Sequence, residues 1–246
     1  MPSIVDSVTH LFHSSLVINE LRIPTGWLST SLGQRCLFEE QRLVRRALET
    51  AFGEQLLQVG AWGAPEIFVQ HARTQHSMLL DFHPQAGVTI VSSASSLAVA
   101  SDSADVVVLP HTLEWTSSPH TLLREVARVL RADGYLVILC FSPTGFWGLR
   151  HLFAPRHGYP PGRRRLILES HLRDWLELLS LEVCECVRYC HALPLERMTQ
   201  LKVFTNQAWT CLLYTSPSPR DATLSRIASC AVKKKRGGGG GGGGGG

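Results

Sequence analysis

No run of about 18 apolar residues occurs in this chain, so a membrane-spanning helix is not expected. A secretory leader is not expected either. MPSIVDSVTHLFHSSLVINELRI lacks a basic segment followed by an apolar run and a small-residue cleavage site, so secretion is not expected. Metal-binding spacing is also absent: neither Cys184/Cys186 nor Cys190/His191 shows the two-residue gap of zinc knuckles, and no metal site is predicted. Cys36, Cys140, Cys184, Cys186 and Cys190 read instead as buried free thiols in a reduced, cytoplasmic protein. Alternation puts Cys184 and Cys186 on one face of a strand from Leu181 to Tyr189. Gly60-Ala61-Trp62-Gly63 does not supply the Gly-x-Gly-x-x-Gly that a nicotinamide-dinucleotide fold needs.

A surplus of positive charge exists only on paper. The formal balance is +4, but residues 211–246 hold six basic residues and one acidic one, leaving eighteen basic against nineteen acidic in the rest. No general case for binding nucleic acid or anionic membranes survives. The same stretch, CLLYTSPSPRDATLSRIASCAVKKKRGGGGGGGGGG, breaks with the preceding composition and ends in ten glycines that cannot bury a core. It resembles a translated sequencing adapter followed by poly-A and poly-G, and is expected to stand outside the fold as a disordered tail. Residues 1–26 form an extension of undecided order, and residues 27–210 suffice for one α/β domain.

What is present is a strand and helix rhythm. Cys36, Leu37, Leu43, Val44 and Leu48 recur at helical spacing between Gly33 and Thr50. Glu54 to Val59 reads as a first strand, Gly60 to Ala64 as a turn, and Glu66 to Arg73 as a helix opened by Pro65. Ser77–Phe82 and Val88–Ser92 are candidate second and third strands. Asp105–Leu109 is an unbroken apolar strand. Ser117 or Ser118 then caps a helix carrying Leu122, Leu123, Val126, Val129 and Leu130 on one face, and Gly134 terminates it in a left-handed conformation before the strand Tyr135–Phe141. Phe146–Phe153 reads as a short helix, Ser170–Leu179 as a helix capped by Ser170, and Leu181–Tyr189 as a sixth strand. Strands apolar on both faces and joined by helices imply a parallel sheet covered on both sides. The predicted fold class is therefore α/β, a Rossmann-like three-layer sandwich with its ligand site at the strand carboxyl ends.

LLQVGAWG at the first strand, SLAVASDSADVVVLPHTLEW around the fourth and HTLLREVARVLRADGYLVILCFSP after it resemble the class I S-adenosylmethionine-dependent methyltransferases, in particular the methyltransferase domain common in bacteria. The resemblance runs from about Trp27 to Gln200, and Arg128 to Gly134 fit its strongest signature. It implies a seven-stranded, mostly parallel sheet with an antiparallel last strand. That strand is expected just after Gln207, so it is missing, or replaced by accidental pairing of the Cys211–Ser216 segment.

S-adenosylmethionine is the cofactor the resemblance implies, with Gln58, Gly60, Ala61, Gly63, Asp81, Ser93, Leu109 and Pro110 as the residues to hold it. A glycine turn lets backbone approach the cofactor where a Cβ would collide. An acid at the end of the second strand, here Asp81, accepts the ribose hydroxyls. The chain departs from the family at two acids. Gln58 stands where Asp or Glu is common, and Ser93 stands at the adenine-side acid, with Ala94-Ser95-Ser96, Leu97-Ala98-Val99 and Asp105 completing that frame. Each loss of a charged hydrogen bond costs about 1–3 kcal/mol.

His111 and Glu114, just beyond the fourth strand, are the candidate catalytic residues. His111 can act as a base or be a structural loop histidine. Trp115, Phe146 and Trp147 either shape a substrate mouth or pack in the core or a lid; Arg163-Arg164-Arg165 either meets an acidic substrate or is a solvated loop face, and His191–Pro194 follows the sixth strand, where it could close over the site. Two functions follow. One is methyl transfer to an acceptor that is a small molecule or a protein or RNA side group. The other is a non-catalytic Rossmann-like binding module with a degenerate cofactor pocket.

Overall fold

The computed structural model describes residues 25–143, 146–153, 166–189 and 227–234. In chain order these form α1 (Thr25–Leu28), α2 (Ser31–Leu48), β1 (Phe52–Val59), β2 (Arg73–Asp81), β3 (Ile90–Val91), β4 (Ala104–Pro110) and α3 (Thr112–Trp115). Then come α4 (Pro119–Val129), β5 (Leu130–Phe141), α5 (Phe146–Phe153), α6 (Glu169–Leu178), β6 (Leu181–Tyr189) and β7 (Ile227–Lys234). The strands form one seven-stranded sheet in the order β3-β2-β1-β4-β5-β7-β6. β3, β2, β1, β4 and β5 are mutually parallel, whereas β7 runs antiparallel to both β5 and β6. The Rossmann-like α/β class read from the sequence is the observed one.

Both faces of the central strands are dry. Leu57, Val59, Val107 and Leu109 pack on one side with Leu122, Leu123, Val126 and Val129 of α4 and Leu172 and Leu176 of α6. Their neighbours Leu56, Val106 and Val108 pack on the other side with Cys36, Leu37, Val44 and Leu48 of α2. Period-two alternation thus serves two cores at once, and the strands read as unbroken apolar runs. Among the described residues no helix is long and apolar enough to cross a membrane.

Several local expectations are corrected. Residues 66–73 do not form a helix. They make successive turns closed by short bonds such as Val69 N to Glu66 O and Ala72 N to Val69 O, and β2 starts at Arg73, four residues before the expected Ser77. α4 stops at Val129, because the amides of Asp102 and Ser103 take the carbonyls of Arg128 and Val129. Gly134 is not left-handed. It lies within β5, where a Cβ would stand 2.7 Å from a Leu130 methyl and 3.0 Å from the Asp105 carbonyl, so clearance explains the glycine. α6 is preceded by Leu168, and Ser170 sits inside the helix instead of capping it. At Ser118 the cap is supplied by the backbone carbonyl, without a side-chain bond.

The cysteine expectation holds for Cys36 and Cys140, both buried, and fails for Cys184. A register shift between Val183 and Glu185 breaks the alternation of β6, exposing Cys184 while Cys186 stays half-buried against the core. The antiparallel position expected to be missing or filled by Cys211–Ser216 is occupied by β7, from within the stretch expected to lie outside the fold. Cys211–Ser216, Cys190, Arg163–Arg165 and His191–Pro194 lie outside the described residues, as do the side chains of Phe146 and Trp147.

Candidate cofactor crevice and buried ion cluster

Strand order reverses between β1 and β4, and in an open α/β sheet the crevice beyond that point is where ligands bind. Gly60 follows β1 there at φ +92°, and Gly63 follows at φ +80°, conformations that L side chains rarely adopt. The tight approach is real at Gly60. A Cβ would sit 2.6 Å from Thr112 Oγ1, and that hydroxyl donates to the carbonyl of Val59, joining the ends of β1 and β4.

Asp81 is the last residue of β2 and is 7% exposed. Its Oδ2 accepts from the Ala61 amide at 2.8 Å and the Gln85 side-chain amide at 3.0 Å, and its Oδ1 from the His83 amide at 3.0 Å. The acid at the end of β2 and the glycine turn after β1 are therefore one unit. Gln58 is fully buried beneath that turn. Its Nε2 donates to Gly60 O at 3.0 Å, and its Oε1 has no hydrogen-bond partner among the described residues. Ser93 lies exposed just past β3, where its hydroxyl pairs with Ser95 Oγ at 2.9 Å. Leu109 and Pro110 end β4 as buried residues paired with Ile138 and Leu139. Gln58, Gly60, Ala61, Gly63 and Asp81 thus come together, and Leu109–Pro110 end the neighbouring strand; Ser93 stands on a separate loop. A surface cavity of about 360 Å³ between the 64–69 turns and β2 shares none of these residues.

His111 and Glu114 are brought together, but in the interior. Both are fully buried, with His111 Nδ1 3.0 Å from Glu114 Oε2. The second ring nitrogen, Nε2, lies 3.0 Å from Oε1 of Glu40, a residue of α2 that is also fully buried. Phe141 stacks on the imidazole at 4.1 Å and Trp62 tilts against it at 4.4 Å. Glu114 also accepts the backbone amide of Phe141. Burial alone would discharge His111, but the Glu40 charge and the hydrogen bonds of both glutamates overcome it, and its pKa is pushed up to about 9. Burial likewise opposes the charge on Glu40, yet His111, with help from Cys36 and Trp62, holds it below the ordinary carboxylate value. At neutral pH His111 is an imidazolium whose two N–H groups are both engaged.

Glu40 escapes a reading of the sequence because it looks like one more polar residue of an amphipathic helix. The signal that finds it is its position. Cys36, Glu40 and Val44 fall at successive four-residue steps along the buried face of α2, and a carboxylate on an apolar stripe demands buried donors. Trp115 packs in the core at 3% exposure, which removes it from any substrate mouth.

Residues 64–138 match the methyltransferase-domain family. A curated relative, the uncharacterized protein YafS of Escherichia coli K12, is 36% identical over 161 residues, 62% of this chain and 66% of that protein, so this chain spans just under two thirds of its relative. Among solved structures, an S-adenosylmethionine-dependent methyltransferase from Archaeoglobus fulgidus superposes with a TM-score of 0.55 at 16% identity, covering 81% of this chain and 99% of that one. Geranyl diphosphate C-methyltransferase from Streptomyces coelicolor gives 0.54 at 13% identity, over 82% and 80%. The cyclase SpnF gives 0.56 at 17%, over 95% and 94%, so the same fold also carries other chemistry. The methyltransferase-domain match at residues 64–138 thus lies on a sheet of order 3-2-1-4-5-7-6, and the chain shares the fold of these solved methyltransferases.

Proposed function

We propose that the crevice between β1 and β4 binds S-adenosylmethionine and that the protein transfers its methyl group to an acceptor entering at the strand carboxyl ends. The observation that carries this reading is the Asp81–Ala61 hydrogen bond, which fixes a carboxylate against a left-handed glycine turn at the topological switch point. The residues fit the group. Gly60 and Gly63 supply the two left-handed positions that shape the turn, and Asp81 offers the ribose hydroxyls an acceptor once the exposed Gln85 side chain moves aside. Gln58 Oε1, a buried acceptor without a partner among the described residues, suits the ammonium of the cofactor's amino-acid portion.

When bound, the cofactor supplies an electrophilic methyl on a sulfonium, and transfer is an in-line displacement. The protein's part is to align the two reactants and exclude water. His111 and Glu114 serve here by holding the loop after β4 in place. With their ring and carboxylate fully buried and engaged, any proton the acceptor loses passes to solvent water.

Isothermal titration of the full chain with S-adenosylmethionine and S-adenosylhomocysteine tests the reading. Saturable binding tighter than about 1 mM, roughly 4 kcal/mol, is expected. Absence of binding at millimolar ligand would overturn it.

A further inference from the structure

Glu40 gathers more donors than the packing of α2 calls for. Its Oε1 accepts from Cys36 Sγ at 2.8 Å, from His111 Nε2 at 3.0 Å and from the Tyr189 hydroxyl at 3.3 Å, while Oε2 accepts from Trp62 Nε1 at 2.6 Å. α2 already buries Leu32, Leu37, Val44 and Leu48. An apolar residue at position 40 would dock the helix as well, because a buried charge is weak support for stability. What the carboxylate adds is connection between segments. Trp62 belongs to the glycine turn and His111 to the loop after β4, and these are the two walls of the crevice.

We infer that Glu40 is a positioning residue of the cofactor crevice, its single carboxylate fastening the glycine turn through Trp62 and the β4 loop through His111 into one preset geometry. This rests on the reading of that crevice as the S-adenosylmethionine site. The turn needs such an anchor. Trp62 sits between Gly60 and Gly63, the residues with the widest conformational freedom, and a turn left to wander must be ordered by the ligand at a cost in affinity. His111 is held at φ +60°, an uncommon state for a non-glycine residue. Both rings are wedged in one stack, with Trp62 5.9 Å from Trp27 and 4.4 Å from His111.

Trp62→Phe keeps an aromatic ring but deletes the N–H that reaches Glu40 together with part of the buried indole. Tyr189→Phe deletes a donor to the same carboxylate from the edge strand β6. Glu40→Gln leaves one acceptor for four donors. Titration with S-adenosylhomocysteine is expected to show affinity reduced about 10-fold or more, ~1.4 kcal/mol, in Trp62→Phe and Glu40→Gln, and changed less than about 2-fold in Tyr189→Phe. Equal losses in Trp62→Phe and Tyr189→Phe, or wild-type affinity in Trp62→Phe, would overturn the inference. If the wild type binds no S-adenosylhomocysteine, the cofactor reading fails by itself and amide hydrogen exchange decides the positioning role. Exchange at Ala61 and His111 then quickens in Trp62→Phe relative to core amides of β4, whereas unchanged ratios would refute it.

Discussion

The carboxylate of Asp81 holds the amide of Ala61 at 2.8 Å, tying the last residue of β2 to the turn that follows β1. Loss of charge there acts twice, on the shape of the turn and on the acceptor offered to a ribose. Asp81→Asn keeps one acceptor oxygen for three donors. Its affinity for S-adenosylhomocysteine is expected to fall about 10- to 100-fold, roughly 1.5–3 kcal/mol for hydrogen bonds to a charged group. Calorimetry that finds the two proteins equal would remove Asp81 from the site.

Gly60→Ala places a methyl 2.6 Å from Thr112 Oγ1 at a φ of +92°. A stability loss of about 1–3 kcal/mol is expected. Gly63→Ala carries the same kind of backbone strain, but its contacts are flexible Leu37 methyls at 3.1 and 3.2 Å, so its loss should be smaller. Urea unfolding of the two variants ranks them, and the reverse order would count against the close approach of β1 and β4.

His111 makes the interior sensitive to alkali. Its pKa rises from 6.5 to about 9 on folding, so its contribution is fully present below pH 6.5 and is lost as pH climbs through about 9. Glu40 behaves oppositely. Lowered from 4.5, it contributes above that value and loses its share as pH falls through the folded-state pKa. The melting temperature should decline between pH 7 and 9.5, and the decline should flatten in Glu40→Gln. A wild-type profile level across that range would contradict a charged His111.

Arg128 explains why the helix signature reads as it does. Its guanidinium bonds Glu125 while donating to the carbonyls of Leu97 and Val99 and to Ser101 Oγ, and Glu125 in turn accepts the Leu97 amide at 2.9 Å. Hydrogen bonding to Arg128 lowers the Glu125 pKa, chiefly through that contact. Lysine cannot reproduce a fork aimed at four residues. Arg128→Lys is expected to cost about 1–2 kcal/mol by denaturant melts and to speed proteolysis around residues 97–103, and resistance equal to wild type would argue against the clamp.

The parts legible in the sequence are those governed by one local rule. β4 and β5 show themselves because Val106 to Leu109 and Leu136 to Phe141 are buried on both faces, and α2 shows itself by its period. The turn at Gly60 is legible because only glycine accepts its φ. Residues 66–73 mislead because Pro65 and the apolar spacing suit a helix, whereas the early start of β2 leaves room only for turns. Cys184 misleads because a bulge shifts the register. The ion cluster was half visible. His111 and Glu114 stand three residues apart, but their third member and the indole that completes the site come from 71 and 49 positions earlier in the chain, and no local pattern brings those together.

The Glu40 cluster also bears on the order in which the chain assembles. Glu40 is 71 residues from His111 and 149 from Tyr189, so α2 is synthesised long before two of the four donors to its carboxylate, including the one cation, exist. Contacts of such separation close late, after loop entropy has been overcome. Until β4 and β6 are in place, that face of α2 carries a charge facing water among its apolar residues, and early docking would bury that charge without its ion-pair partner. Sealing of this layer is thereby coupled to completion of the sheet, and the crevice takes its working shape as one of the last events of folding.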